Sequence, residues 1–280
     1  MRLSAFADEI SPDLQEQIAV LRAEGIGHVE LRSVWNTNVL DLSDAQVTEI
    51  RRAFGEAGIR VSAIGSPIGK VPIDEPFEPH LARFERALDL AGEFETPFIR
   101  LFSFYPPAAD PATSPASYRD EVLRRLRAMT DLAAERGITL LHENEREIYG
   151  DTIARCVDLL ASIRDERFAA ILDPANFIQC GQTPYPDAYE AIKDRLRYVH
   201  VKDARPDGTV TVAGEGAARW PDLLRTLHAD GFDGFFSLEP HLAAAGRFAG
   251  FSGPDLFRQA ARAFRVLLQE MQWRPKGQGS

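Results

Sequence analysis

The sequence predicts one closed α/β barrel of eight strand–helix units, a (β/α)8 fold, on three observations. Eight short β-rich runs alternate with longer helical stretches along nearly the whole chain. The 280 residues divide into units of about 35, room for a strand, a crossover helix and their turns. No break in composition marks a domain boundary, and about 250 residues suffice for such a barrel. Runs separated by helices pair in parallel, because parallel pairing needs a crossover. Eight such strands close on themselves, whereas open doubly wound sheets usually have fewer. The barrel is assigned to residues 1–272 and a flexible C-terminal tail to 273–280.

Each unit has its own signals. The first strand is Leu3-Ser4-Ala5-Phe6, and a helix over 13–24 carries Leu14, Ile18 and Leu21 on one stripe before the stop at Gly25. The second strand, 28–31, precedes a helix with Ser43 as N-cap that ends near Gly58. The third strand, 60–64, runs into a long loop with four prolines and then a helix over 80–94. The fourth, 98–102, is followed by a proline-rich loop and a helix over 117–136. Strands over 139–143, 168–172, 196–202 and 234–239 complete the set, with helices over 152–164, 186–193, 221–230 and 254–272.

Composition excludes several classes. The formal net charge of −10 argues against general affinity for nucleic acid or anionic membrane. No apolar run approaches the roughly 18 residues that span a bilayer, and the N-terminus does not read as a signal peptide. The two cysteines, Cys156 and Cys180, form neither a disulfide framework nor a CxxC site, so a reducing cytoplasm is expected. No dinucleotide fingerprint follows the first strand, and 65–70 lacks P-loop spacing.

In a barrel, functional side chains stand at the C-terminal ends of strands. Glu143 ends the fifth strand, Asp173 follows the sixth, His200 lies near the end of the seventh and Glu239 ends the eighth. Four consecutive strands thus deliver three carboxylates and one imidazole to one rim. Such a group repels itself as bare anions, and a divalent cation resolves the conflict. Three oxygens and one nitrogen suit Mn²⁺, Mg²⁺ or Co²⁺, with Zn²⁺ also compatible.

The sequence resembles the xylose isomerase-like TIM barrels. That superfamily of sugar isomerases and epimerases includes tagatose 3-epimerase-type enzymes, inosose isomerases and dehydratases, and endonuclease IV. The resemblance runs from about Met1 to Gln272. It is carried by Phe6-Ala7-Asp8-Glu9-Ile10, His142-Glu143-Asn144, Asp173-Pro174-Ala175-Asn176, His200-Val201-Lys202-Asp203, Gly214-Glu215-Gly216 and Ser237-Leu238-Glu239-Pro240-His241. It implies one divalent metal, often Mn²⁺, on Glu143, Asp173, His200 and Glu239, with Glu143 and Glu239 also acting as acid and base. The implied reaction is isomerisation or epimerisation of a keto sugar, polyol-derived or cyclitol substrate through a metal-stabilised enediolate. The same site supports a dehydratase of a keto-cyclitol or keto-glycoside.

Further candidates for binding substrate are Asn176, Lys202, Asp203, Arg100, Glu30, Trp35 and His241. Asn176 departs from some family epimerases, which have His there. Lys202 and Asp203 are equally readable as supports for His200 or a strand-end ion pair, and Arg100 and Glu30, with Arg32, as barrel salt bridges. Phe104, Tyr105 and Phe248 lie in rim loops where an aromatic face can stack on a sugar. His142 points away from Glu143 by strand alternation and reads as a packed residue. A non-catalytic sugar-binding subunit and an endonuclease IV-like repair enzyme are the other readings. The latter wants more His and Asp ligands than six histidines supply. A small sugar or cyclitol is the expected partner, nucleic acid and membrane are not, and a homo-oligomer is compatible.

Overall fold

The computed structural model describes residues 1–245 and 250–274. Its parallel strands are β1 (Arg2–Ala5), β2 (His28–Leu31), β3 (Arg60–Ile64), β4 (Phe98–Leu101), β5 (Thr139–Glu143), β6 (Phe168–Leu172), β7 (Leu196–Val201) and β8 (Phe235–Leu238). The hydrogen-bonded order is β1-β8-β7-β6-β5-β4-β3-β2, and β1 and β2, at its two ends, lie side by side. This is a nearly closed (β/α)8 TIM barrel. The helices are α1 (Leu14–Ala23), α2 (Asp44–Ala57), α3 (Phe77–Glu93), α4 (Pro115–Glu135), α5 (Ile153–Ser162), α6 (Pro174–Gln179), α7 (Tyr189–Ile192), α8 (Trp220–Ala229) and α9 (Pro254–Glu270).

Local chemistry sets several boundaries. Ser43 and Gln46 form a reciprocal capping box at α2, and Gly58 closes that helix at φ 70°, a conformation glycine adopts without strain. Helix α3 begins three residues before the expected His80 because Pro79 falls in its first turn, where no N–H is missed. The expected helix over 186–193 is instead a run of short helical turns kinked at Tyr185, leaving only α7 as regular helix.

Two apolar layers hold the barrel. Inside it, Ala63, Leu141, Ala169, Ile171, Tyr198 and Phe235 form a separate cluster, with Tyr198 stacked on Phe235 at 5.4 Å between ring centroids. The larger layer fills the space between sheet and helices and includes Phe84, Phe177, Trp220, Phe257 and Phe264. Trp273, placed by sequence at the start of the tail, is buried and stacks on His228 at 4.8 Å. No helix among the described residues is long and apolar enough to cross a membrane. The filled lumen leaves the C-terminal mouth as the place where polar side chains converge.

Candidate metal centre at the barrel mouth

Strand alternation turns Glu143 and His200 inward at the mouth, and Asp173 and Glu239 join them one residue past β6 and β8. All four are buried, and one ligand-type atom from each lies within 4.8 Å of the others. His200 Nδ1 is 3.1 Å from Glu143 Oε1, 3.4 Å from Glu239 Oε2 and 3.7 Å from Asp173 Oδ2. Asp173 divides its carboxylate. Its Oδ1 caps α6 by accepting from Asn176 N at 2.8 Å, while buried Oδ2 makes no aligned hydrogen bond. Short helix α6 was not expected from the sequence, although Asp173-Pro174 supplies a good N-cap followed by proline at the first helical position.

Cations compensate the cluster. Lys202 Nζ lies 2.8 Å from Asp173 Oδ2 and 3.1 Å from Glu239 Oε2. Arg100 donates to Glu143 Oε2 at 3.1 Å and to the Gly65 carbonyl at 3.0 Å. Arg32 donates to Glu239 Oε1 at 2.9 Å and to Asp8 Oδ2 at 2.7 Å, and approaches Glu9 Oε1 at 3.4 Å. His241 Nε2 sits 3.0 Å from Glu9 Oε1 and 3.3 Å from Glu239 Oε1.

These contacts decide the charges. Burial opposes ionisation of Glu143, but His200 and Arg100 outweigh it and hold its carboxyl at about 2. Burial likewise works against Glu239, yet Lys202 and His241 keep it well below the ordinary carboxylate range. For Lys202 the carboxylates of Asp173 and Glu239 overcome burial and raise its ammonium above the usual value. For His200, Glu143 and Glu30 overcome burial and keep the imidazolium well above its ordinary range. The result is an anionic cage balanced by side-chain cations and, without added positive charge, by protons.

The residues fit a divalent cation. The donor set is three carboxylates and one imidazole, buried and mutually close, and Asp173 Oδ2 has a lone-pair direction that no hydrogen bond uses. Asn176 is brought to the set, donating to Glu143 Oε1 at 3.2 Å and to the Asn144 carbonyl at 2.9 Å. Asn144 returns two bonds to the Asp173 backbone, at 3.0 and 2.9 Å, so the ends of β5 and β6 are locked together.

The remaining residues expected to contact substrate have local partners of their own. Asp203 is engaged by backbone. Its carboxylate accepts from the backbone N–H groups of Ala204, Gly214, Gly216 and Ala218 at 2.8–3.1 Å, which pins the loop after β7. A Cβ on Gly216 would fall 2.2 Å from Asp203 Oδ1, so the Gly214-Glu215-Gly216 motif and Asp203 form one structural device. Glu30 is fully buried behind the His200 ring, with Oε2 3.2 Å from Nε2. Trp35 occupies a tight turn at φ 55° and packs on the core. Phe104 and Tyr105 are buried packing residues, Phe104 beside the His80 ring at 5.3 Å. Phe248 lies outside the described residues. His142 is buried away from the cluster, 3.0 Å from Ser103 Oγ.

The first strand also leads two carboxylates to the site that were not among the expected site residues. Asp8 and Glu9 follow β1, and Glu9 also accepts from Ser252 Oγ at 2.8 Å and from His241 N at 3.2 Å. The rule that singled out the last four strands, polar residues just past a strand end, would have found both.

The known proteins agree with this architecture. A family model described as xylose isomerase-like TIM barrel matches residues 18–267. The chain belongs to that family. It is 23% identical to an inosose dehydratase of Clostridium botulinum (strain Alaska E43 / Type E3) over 133 residues, 41% of this chain and 44% of that protein. It is 29% identical to the rhizopine catabolism protein MocC of Rhizobium meliloti over 166 residues, half of each chain. These matches thus span about half the length of the curated relatives. A solved D-psicose 3-epimerase from Clostridium cellulolyticum H10 superposes with a TM-score of 0.74 at 14% identity, covering 96% of this chain and 99% of that one.

Proposed function

We propose that this family member is a divalent-metal-dependent isomerase or epimerase of a keto sugar, polyol-derived or cyclitol substrate. The observation that carries the reading is the pairing of Glu143 and Glu239, on strands three apart in the barrel, within one buried group that also holds Asp173 and His200. A cation held there supplies Lewis-acid polarisation of the substrate carbonyl. Glu143, kept ionised by His200 and Arg100, removes the proton from the carbon beside that carbonyl. The C–H electron pair becomes the new C=C bond and the carbonyl pair moves onto oxygen, giving an enediolate. Glu239, ionised at rest, takes a proton from the His241 imidazolium 3.3 Å away and delivers it from the opposite face or to the neighbouring carbon, while Glu143 and His241 re-equilibrate their protons with solvent. Arg100 and Arg32 each hold one oxygen of their glutamate, so both bases keep their orientation. A positioned base contributes about 10²–10⁴-fold.

A second reading is elimination of water from a keto-cyclitol or keto-glycoside. His241 supports it, because an imidazole 3.3 Å from Glu239 offers a proton donor for a departing hydroxyl beside the base. The inosose dehydratase match points the same way. The test is turnover of a keto-sugar and inosose panel in D₂O with Mn²⁺ or Mg²⁺. An isomerase or epimerase incorporates deuterium and conserves the carbon–oxygen skeleton, whereas a dehydratase yields an enone or enol product short of one water. Glu143→Gln with full activity, or turnover undiminished after metal is stripped, would end both readings.

A further inference from the structure

The His200 ring is held on both sides, and only one side belongs to the metal group. Its Nδ1 edge faces Glu143, Glu239 and Asp173, whereas Nε2 faces Glu30 Oε2 at 3.2 Å. His200 and Glu30 are both fully buried. Glu30 reaches this place from β2, where the register against β3 shifts between Val29 and Glu30. Phe6 and Tyr198 meet the imidazole edge-on, with centroids 5.2 and 5.9 Å away, and restrict its rotation. The second oxygen of Glu30, Oε1, is buried without a hydrogen-bond partner among the described residues. This carboxylate therefore directs its one side-chain hydrogen bond at His200.

A neutral imidazole carries one N–H and one lone pair, and an ionised carboxylate accepts only. Metal-free, the imidazolium carries a proton on each nitrogen; when a cation displaces the Nδ1 proton, a carboxylate fixed at Nε2 keeps the remaining proton there and leaves the lone pair on Nδ1. Nδ1 is the nitrogen aimed into the carboxylate group. We propose that Glu30 is a positioning residue that selects the His200 tautomer able to ligate through Nδ1 and thereby sets the affinity of the centre for its cation. The inference rests on reading the four-residue group as a metal centre. It also moves Glu30 out of the substrate's reach, beneath the ring.

The test uses zinc, which is diamagnetic, as the probe. Zinc affinity is measured by chelator competition on the full chain, and the His200 nitrogens are followed by ¹⁵N imidazole spectra of the zinc-loaded protein. The wild type should bind one Zn²⁺ with Nδ1 coordinated and Nε2 protonated. Glu30→Ala should weaken zinc binding about 10–100-fold, the usual cost of losing such an outer partner. Glu30→Gln keeps an acceptor and should retain the tautomer with a smaller loss, a rescue that mere space-filling would not give. Zinc on Nε2, or a folded Glu30→Ala protein with wild-type affinity, overturns the proposal. Should Glu30→Ala fail to fold, Glu30→Gln decides: weaker zinc binding with Nε2 still protonated supports it, and unchanged affinity overturns it. Wild-type protein that binds no Zn²⁺, Mn²⁺ or Mg²⁺ would instead overturn the metal centre itself, whatever the variants do.

Discussion

Lys202 Nζ stands 2.8 Å from Asp173 Oδ2, the carboxylate oxygen that no aligned hydrogen bond claims. The same ammonium is 3.1 Å from Glu239 Oε2, so a side-chain cation and a bound divalent ion would draw on the same two carboxylates. Lys202→Met removes that charge at similar volume. Breaking a buried pair costs about 3–5 kcal/mol because the partner is left uncompensated. The variant should therefore melt well below wild type when metal-free, and Mn²⁺ should raise its melting temperature more than it raises that of wild type. Equal metal-induced shifts in the two proteins would show that Lys202 does not contend with the cation.

Asp173 lets ligation be separated from folding. Asn caps a helix about as well as Asp, whereas Ala does not, at a typical cost of about 1 kcal/mol. Asp173→Asn should keep α6, because its side-chain oxygen can still accept from Asn176 N, yet lose most of the affinity for metal. Asp173→Ala should lose both. A ligand at 100 times its dissociation constant stabilises by about 2.7 kcal/mol. Thermal unfolding with Mn²⁺ and with chelator should show that gain in wild type and abolish it in Asp173→Asn. A full metal-induced gain in Asp173→Asn would remove Asp173 from the ligand set.

The loop after β7 depends on one carboxylate. Asp203 gathers four backbone N–H groups, and bonds to a charged acceptor are worth about 1.5–3 kcal/mol each when broken singly. Asp203→Asn turns an amide NH₂ toward donors and should release residues 205–217 without touching the metal group. Hydrogen exchange should rise in that segment, and metal affinity should stay within about twofold, since the altered bonds are local. Gly216→Ala should act the same way through the clash with Asp203 Oδ1. Unaltered exchange in the segment would refute this role.

Strand ends were the most legible feature of the sequence. β5 and β6 fall where their β-rich runs placed them, and the strand-end rule picked out Glu143, Asp173, His200 and Glu239, which the fold brings within 4.8 Å. The rule works because alternation and parallel closure are local properties of each strand. What it missed depends on distant partners. The role of Asp203 is fixed by backbone N–H groups up to fifteen residues downstream, and that of Glu30 by a histidine 170 residues away. Short rim elements, such as α6 and the hairpin of Asp203–Ala204 with Val210–Thr211, are too brief for periodicity to register.

Acid should destabilise the protein through histidines that play no part in the metal group. Burial lowers His80 to about 4, and Arg125 and Arg83 add to the effect. Burial alone lowers His142 to about 4, against the pull of Glu143. His80 accepts a hydrogen bond from Gly69 N at 3.1 Å through Nε2, a bond that protonation forbids. In the unfolded chain these rings titrate near 6.5, so between pH 6.5 and 4 the unfolded state binds more protons than the folded one. Stability is then fully present above pH 6.5 and falls as pH drops toward 4, by about 3 kcal/mol for each such buried ring as an order of magnitude. His80→Gln places a neutral acceptor near the same position and cannot protonate. Its melting temperature should match wild type more closely at pH 4.5 than at pH 7.5, giving a shallower slope through that window. A slope identical to wild type would show that His80 is not a neutral, buried partner of the loop after β3.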